Sequence, residues 1–308
     1  MKFFELGNTP ESNQENQAQR NLISAEMRLW CPLLDYLEFY QMVGSSDKPL
    51  KESSATGGKL RDVNEAWPDN VVDPEYGDVM LKIYGDKIQV DDAHVRRHAG
   101  DARVVLASLR LREIKKWARR VGQNLMFGIV NNSVAANPKA WDGLVAALPA
   151  GRTASHNDTI STDDKLKALV EKIAYGITDI PGGAGFILMD AGVRSRLSTL
   201  GMGYVQLGMN ELGTQVNTIE NTPIVVAGYN SAGARVLPWT SGVNGNATRV
   251  IIGRSSEAAD IAFASNVGLV VKDLGLIDPH WTTKVEFDID MEILNDESIY
   301  VIDEIRAS

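Results

Sequence analysis

The sequence predicts an α+β fold built around one long helix and one long strand, and three observations carry that prediction. Val104, Ala107, Leu111, Ile114, Ala118, Val121 and Leu125 recur at alternating intervals of three and four, the single apolar stripe of an amphipathic helix. From Lys284 to Ile293 the chain alternates strictly: Val285, Phe287, Ile289, Met291 and Ile293 point one way, and Lys284, Glu286, Asp288, Asp290 and Glu292 the other. That is the period of a strand. Between Asp163 and Val271, helical and strand-like segments interleave, as in an insert around a small sheet.

A chain of 308 residues is long enough for two compact domains at roughly 100 to 200 residues each. Hydrophobic residues at 44% and charged residues at 23% are ordinary for a soluble globular protein and exclude a disordered or fibrous one. The formal charge of -9 disfavours non-specific binding of the free chain to nucleic acid or to an anionic membrane, while leaving room for a local basic patch. Cys31 is the only cysteine. It rules out an intrachain disulfide and a cysteine-based zinc cluster, fits a reducing compartment, and reads as a small buried hydrophobe. Met1 to Leu6 opens like a signal sequence, but Glu5 and the polar run Asn8 to Arg20 deny it an apolar core, so no secretion is expected. A membrane span needs roughly 18 consecutive apolar residues. Even Ile187 to Leu207 is broken by Asp190, Arg194 and Arg196, so a soluble protein is expected.

In chain order, Leu22 to Val43 is dense in apolar residues and predicts a short helix that Pro32 interrupts or starts, an arm that docks on something. Gly44 to Asp78 turns to Ser, Gly, Asp, Lys and Pro and reads as a long extended loop. Such a loop is usually functional, and a neighbouring subunit would give it a purpose. Val79, Leu81 and Ile83 alternate with polar neighbours and, after Gly85-Asp86, Ile88 and Val90 resume the period, predicting a two-stranded ribbon. The long helix follows, with Asp101 as N-cap, over about 36 Å at 1.5 Å per residue. Arg103, Arg110, Arg112, Lys115, Lys116, Arg119 and Arg120 surround its stripe with Glu113 the one acid, so its outer face is strongly basic. That face reads either as a solvated surface with intersubunit ion pairs or as one turned toward packaged nucleic acid.

Gly128 to Pro149 reads as loop around the compact turn Trp141-Asp142-Gly143-Leu144. A helix is predicted over Asp163 to Tyr175, a buried strand over Phe186 to Met189, a helix over Ala191 to Leu200 and a strand over Thr222 to Val226. The carboxylate row of the final long strand reads as a solvated face or one paired with a basic neighbour, because residues along one strand rarely converge on a single metal.

Chemistry is scarce. Gly182-Gly183-Ala184-Gly185 and Gly201-Met202-Gly203 lack the Gly-Lys-Ser/Thr ending of a phosphate loop and the dinucleotide-binding spacing, so both read as turns. His94 and His98, four apart beside Asp91 and Asp92, suit a metal only on a helix, and that segment leaves a strand. There is no Gly-x-Ser-x-Gly elbow, and His156 and His280 each stand without a triad.

The order of these pieces resembles the major capsid proteins of tailed bacteriophages with the Hong Kong 97-type fold. It runs from about Leu22 to the C-terminus: apolar arm, long loop, the ribbon Val79 to Asp92, the long helix Asp101 to Gly128, and the Trp-Asp-Gly-Leu turn. It continues through Asp163 to Tyr175, Phe186-Ile187-Leu188-Met189-Asp190 leading to Arg194 and Arg196, and Thr222-Pro223-Ile224-Val225. Gly268 to Gly275 and Thr282 to Glu286 close the series.

The resemblance implies an N-terminal arm over 1–45, an extended E-loop with its ribbon over 46–92, a peripheral domain over 93–158 and 278–308 holding a spine helix, and an axial domain over 159–277. It implies a subunit without enzymatic activity or cofactor that assembles in the host cytoplasm, through hexamers and pentamers, into an icosahedral virion shell around double-stranded DNA. Scaffolding, portal and decoration proteins are its further implied partners, with no membrane. Residues expected to serve assembly are Lys82, Lys87, Arg110, Arg112, Lys116, Arg119, Arg120, Glu286, Asp288 and Asp290, the basic helix face and the acidic strand face pairing between subunits or within one. Some members of the family carry a large cleaved N-terminal scaffolding segment; the arm here begins within about 20 residues, so a separate scaffolding protein or none is expected. Some cross-link a loop lysine to a neighbour; Lys48, Lys51, Lys59, Lys82 and Lys87 are available for that, but no acid stands in a recognisable cross-linking context. An encapsulin-like shell around protein cargo shares the fold implied. A two-domain enzyme using Asp288 and Asp290, or His94 and His98, is the reading from another class.

Overall fold

A computed structural model describes residues 2–6, 14–51, 75–97, 102–128, 141–200, 205–209, 215–237, 247–256 and 259–306. Helix α1 spans Gln14–Trp30, and a short 3-10 turn, Pro32–Asp35, leads to strand β1, Phe39–Gln41. Four two-residue strands flank 52–74: β2 Ser46–Asp47 and β3 Leu50–Lys51 before it, β4 Glu75–Tyr76 and β5 Val79–Met80 after it. Next come β6 (Lys82–Asp91), α2 (Asp92–Arg97) and α3 (Ala102–Phe127), then β7 (Thr153–Ser155), α4 (Asp163–Asp179), β8 (Phe186–Met189) and α5 (Ala191–Leu200). Strands follow, β9 Gln206–Met209, β10 Gln215–Ile219, β11 Thr222–Val226, β12 Thr248–Gly253, β13 Ile261–Ser265, β14 Val270–Ile277 and β15 His280–Ile293, then a 3-10 turn, Asp296–Ser298, and β16 Ile299–Ile305.

Two sheets organise the chain. The five-stranded one is built on β15, which pairs with β13 and β14 and, over His280 to Ile289, with β6; β1 adds to β13 in parallel. The seven-stranded one runs β7-β16-β12-β8-β11-β10-β9. Strand β8 reads Phe-Ile-Leu-Met without a polar break because both its faces are covered. Phe186 and Leu188 enter one core with β1, β15 and α3, while Ile187 and Met189 enter another with α4 and α5. Helix α4 lies so close to this sheet that a Cβ on Gly176 would sit 2.7 Å from side-chain atoms of both Ile252 and Tyr300.

The α+β class holds, and so do the predicted helices at Asp163 and Ala191 and the strands at Phe186 and Thr222. Four expectations need correction. The ribbon is not folded back at Gly85-Asp86: β6 runs straight through both, in register with β15 from Lys82 opposite Ile289 to Asp91 opposite His280. Glycine is there because a Cβ would meet the Val285 carbonyl oxygen at 2.6 Å and the Glu286 Cβ at 2.7 Å. The first helix starts in the polar run, at Gln14, and not at Leu22. The apolar stripe of α3 is buried only from Ile114 onward, and Val104 is 65% exposed. Finally, the sheets do not follow the expected domain boundaries. β7 and β16, from the segments assigned to the peripheral part, complete the seven-stranded sheet, while β13 and β14, from 159–277, belong to the sheet of β15. Asp101, His98 and most of the extended loop lie outside the described residues.

Candidate functional site

Residues directly opposite in paired strands share a face, so the register sorts the side chains of the β15 sheet. Val285, Phe287, Ile289, Met291 and Ile293 lie on the inner face, all buried, with Tyr84 of β6 beside them. Trp117 of α3 closes on this face, 5.6 Å from Phe287 and stacked at 6.2 Å on Tyr84. Burying each large apolar side chain contributes about 1.5 to 3 kcal/mol. Residues near the start of the chain join this core: Phe3 lies 5.1 Å from Phe39 and 5.3 Å from Phe287. Sequence reading missed Phe3 and Leu6 as core residues, because so short a run shows no period. Cys31 is buried as expected, its thiol pushed up to about 12 by that burial.

The carboxylate row lies on the outer face, turned away from α3. It is not the uniformly solvated row expected. Lys284 is exposed and pairs with Glu286 beside it; Asp288 is half-buried; Asp290 is 8% exposed; Glu292 pairs with Lys51 at 2.6 Å. Burial, then the charge of Glu286, holds the Asp288 carboxyl above its ordinary range. Burial pushes Asp290 up to about 6, although the N–H groups of Met80 (2.7 Å) and Met291 donate to it. Lys82 reaches Asp290 electrostatically, and exposed Lys87 stands opposite Lys284 on β15. Together with Ile83, Leu274 and Glu286, Lys87 lines a shallow depression of about 560 Å³ on the outer face.

The basic residues of α3 divide into three kinds of environment. Arg110 forms a two-pronged pair with Asp273 of β14, at 2.9 and 3.2 Å. The guanidinium of Arg119 lies 4.4 Å from the Trp30 ring centre, where Lys115 approaches to 4.0 Å, tying α3 to α1 by cation–π contact. Arg112, Lys116 and Arg120, spaced one turn apart, are exposed, Lys116 pairing with Glu113 at 2.8 Å. Among the described residues no ion pair joins this helix to the β15 row, which lies on the other side of the sheet; Arg110 pairs instead with β14.

The Trp-Asp-Gly-Leu turn caps α3. Leu144 N–H donates to the Leu125 carbonyl at 3.1 Å and Val145 N–H to Met126 at 2.8 Å, satisfying carbonyls that a helix end leaves open. Trp141 is buried edge-on to Tyr84, at 5.3 Å. Asp92 to Arg97 is helical after all, but Asp92 is taken by Arg96 and Trp281, and no metal-binding group of three appears among the described residues. No described helix is long and apolar enough to cross a membrane.

No family model and no curated protein matches the chain. Solved structures do. The SrpI encapsulin of Synechococcus elongatus PCC 7942, in its holo complex, aligns with TM-score 0.58 at 15% identity over 89% of this chain and 87% of that one. The capsid of an empty GTA particle aligns with TM-score 0.58 at 11% identity over 90% of both chains. A chain of Mycobacterium phage Cain gives 0.56 at 11% identity, over 89% of this chain and 90% of that one. At such identities the likeness is one of fold, and the fold is that of shell-forming capsid proteins. It is the Hong Kong 97-type capsid fold, as the order of motifs implied.

Proposed function

We propose that the chain is the non-enzymatic structural subunit of a closed icosahedral shell built from hexamers and pentamers, and that the shell is a tailed-phage head assembled in the host cytoplasm around double-stranded DNA. The observation that carries the reading is the fold, shared over about nine-tenths of the chain with capsid proteins. Surface features support it. Ile83 at 75%, Val104 at 65% and Leu276 at 52% exposure stand on α3 and on the outer strands, where burial against a neighbour supplies free energy that the single subunit lacks. Many such contacts, each weak, sum to a stable shell. Scaffolding, portal and decoration proteins are the further partners of a head of this kind.

A cargo-enclosing shell is the second reading, favoured by the equal likeness to an encapsulin. The contents decide between them. Particles purified from the native host, treated with nuclease and then opened, yield long double-stranded DNA under the phage-head reading. Particles holding one co-purifying protein and no protected DNA overturn it in favour of the second.

A further inference from the structure

Asp290 and Glu292, at the far end of β15, hold two legs of chain against the outer sheet face. Asp290 accepts the Met80 N–H at 2.7 Å, on the leg Glu75 to Leu81; Glu292 takes Lys51 at 2.6 Å, on the leg Ser46 to Lys51. The legs pair with each other only briefly, Ser46 and Asp47 with Met80 and Val79, and Leu50 and Lys51 with Tyr76 and Glu75. Beneath them lies a small core of its own: Tyr40, Met42, Val79, Ala262, Ala264 and Leu294. Tyr40 stands opposite Ala264, and Ala264 opposite Asp290, so one small residue separates the phenol from the carboxyl. The Tyr40 hydroxyl is buried without a hydrogen-bond partner among the described residues.

The charges around Asp290 do not neutralise it. Lys82 of β6 favours the carboxylate; Glu292 on its own strand opposes it and is itself occupied by Lys51. Asp288 is the preceding acid on the same face, and β13 contributes only Ala262 and Ala264 there. From β1 comes the neutral phenol of Tyr40, and from β2 comes Asp47, which, with burial and Asp290, raises that phenol to about 12.

We propose that this site is a proton-controlled clasp: uncharged Asp290 holds the two legs down, and charged Asp290 lets them lift together while the two large cores stay folded. Lifting returns the carboxylate to water and gives up the Met80 hydrogen bond, the Lys51–Glu292 pair and the small core beneath the legs. The closed clasp binds its proton near pH 6 and the lifted one near the ordinary 3.8, so opening is least frequent at acid pH and grows as pH rises between those values. Those two values give about a 25-fold rise in the opening constant from pH 4.5 to pH 7.5. The clasp belongs to the single subunit and does not rest on the shell reading; within a shell it would set when the legs are free to meet a neighbour.

Native-state hydrogen exchange read by mass spectrometry, corrected for the intrinsic pH dependence of exchange, tests this. In the wild-type chain, segments holding Ser46–Lys51 and Val79–Leu81 should open about 25 times more often at pH 7.5 than at pH 4.5, with no such rise in β12 and β16. Asp290→Asn keeps an acceptor for Met80 without the charge and should flatten that dependence; Glu292→Gln should weaken the Lys51 leg and leave it. Legs insensitive to pH in the wild type, an equal change in β12 and β16, or an undiminished slope in Asp290→Asn each overturn the proposal. Should Asp290→Asn fail to fold, the wild-type profile and Glu292→Gln still decide it.

Discussion

His156 is 5% exposed, and neither ring nitrogen has a partner among the described residues. Burial, then Lys172, holds its pKa below the ordinary 6.5, with Asp158 opposing and Lys165 adding to the lowering. The unfolded chain therefore takes up this proton first as pH falls, and the native state loses stability below about 6.5, at most about 1.4 kcal/mol per unit. Denaturant unfolding at pH 7.5 and pH 5 should show the wild type losing stability more steeply than His156→Gln; parallel slopes would refute the assignment. Gly143 is a second single-residue test. A Cβ there would lie 2.1 Å from Gly128 N and 2.4 Å from Phe127 N, so Gly143→Ala must push the capping turn off α3. A loss of about 3 kcal/mol or more is expected in the same assay, in the range of severe backbone and packing defects. At this scale the sequence was partly legible. The Trp-Asp-Gly-Leu run was visible as a turn, but its role was not, because the carbonyls it caps belong to a helix whose end lies outside that motif. Asp290 was visible as one acid in a row, yet alternation tells which face a residue takes and nothing of what later covers that face.

Elements with a strong period were read correctly, and those defined by distant partners were not. Helix α3 and strand β15 announce themselves through stripes of seven and five apolar residues. Gly85-Asp86 looked like a hairpin because local chemistry favours a turn there, whereas the ten-residue register with β15 holds the strand straight. The start of α1 was hidden by its polar composition; the contacts that tie this helix to α3, the cation–π pairs at Trp30, lie at its other end. The opposed charges of these elements make a prediction at the same scale. If the outer row of one subunit meets the exposed cations of another's α3, Glu286→Lys with Asp288→Lys should leave the circular dichroism spectrum unchanged and raise the protein concentration needed for assembly by about tenfold, about 1.4 kcal/mol. Adding Arg112→Glu and Arg120→Glu should restore it. Assembly indifferent to the first pair of substitutions would show that the row faces solvent.

On the scale of the whole molecule, the fold class was legible because the order of elements survives where their residues do not: identities of 11 to 15% accompany alignment over about nine-tenths of the chain. The partition into sheets was less so. Strand β16 joins β12 and β7 across long stretches of sequence, and nothing local to Ile299–Ile305 distinguishes that pairing from one with β15. The central claim, that this fold here serves a shell, is a claim about association. Light scattering coupled to size-exclusion chromatography, with negative-stain images of the same fractions, tests it most directly on the purified full chain, alone and with lysate of its native host. Closed particles of megadalton mass, or rings of five or six subunits that close when lysate is added, are the predicted result. A monomer or dimer of the 33.6 kDa chain at every concentration and salt tried, with and without lysate, would contradict it.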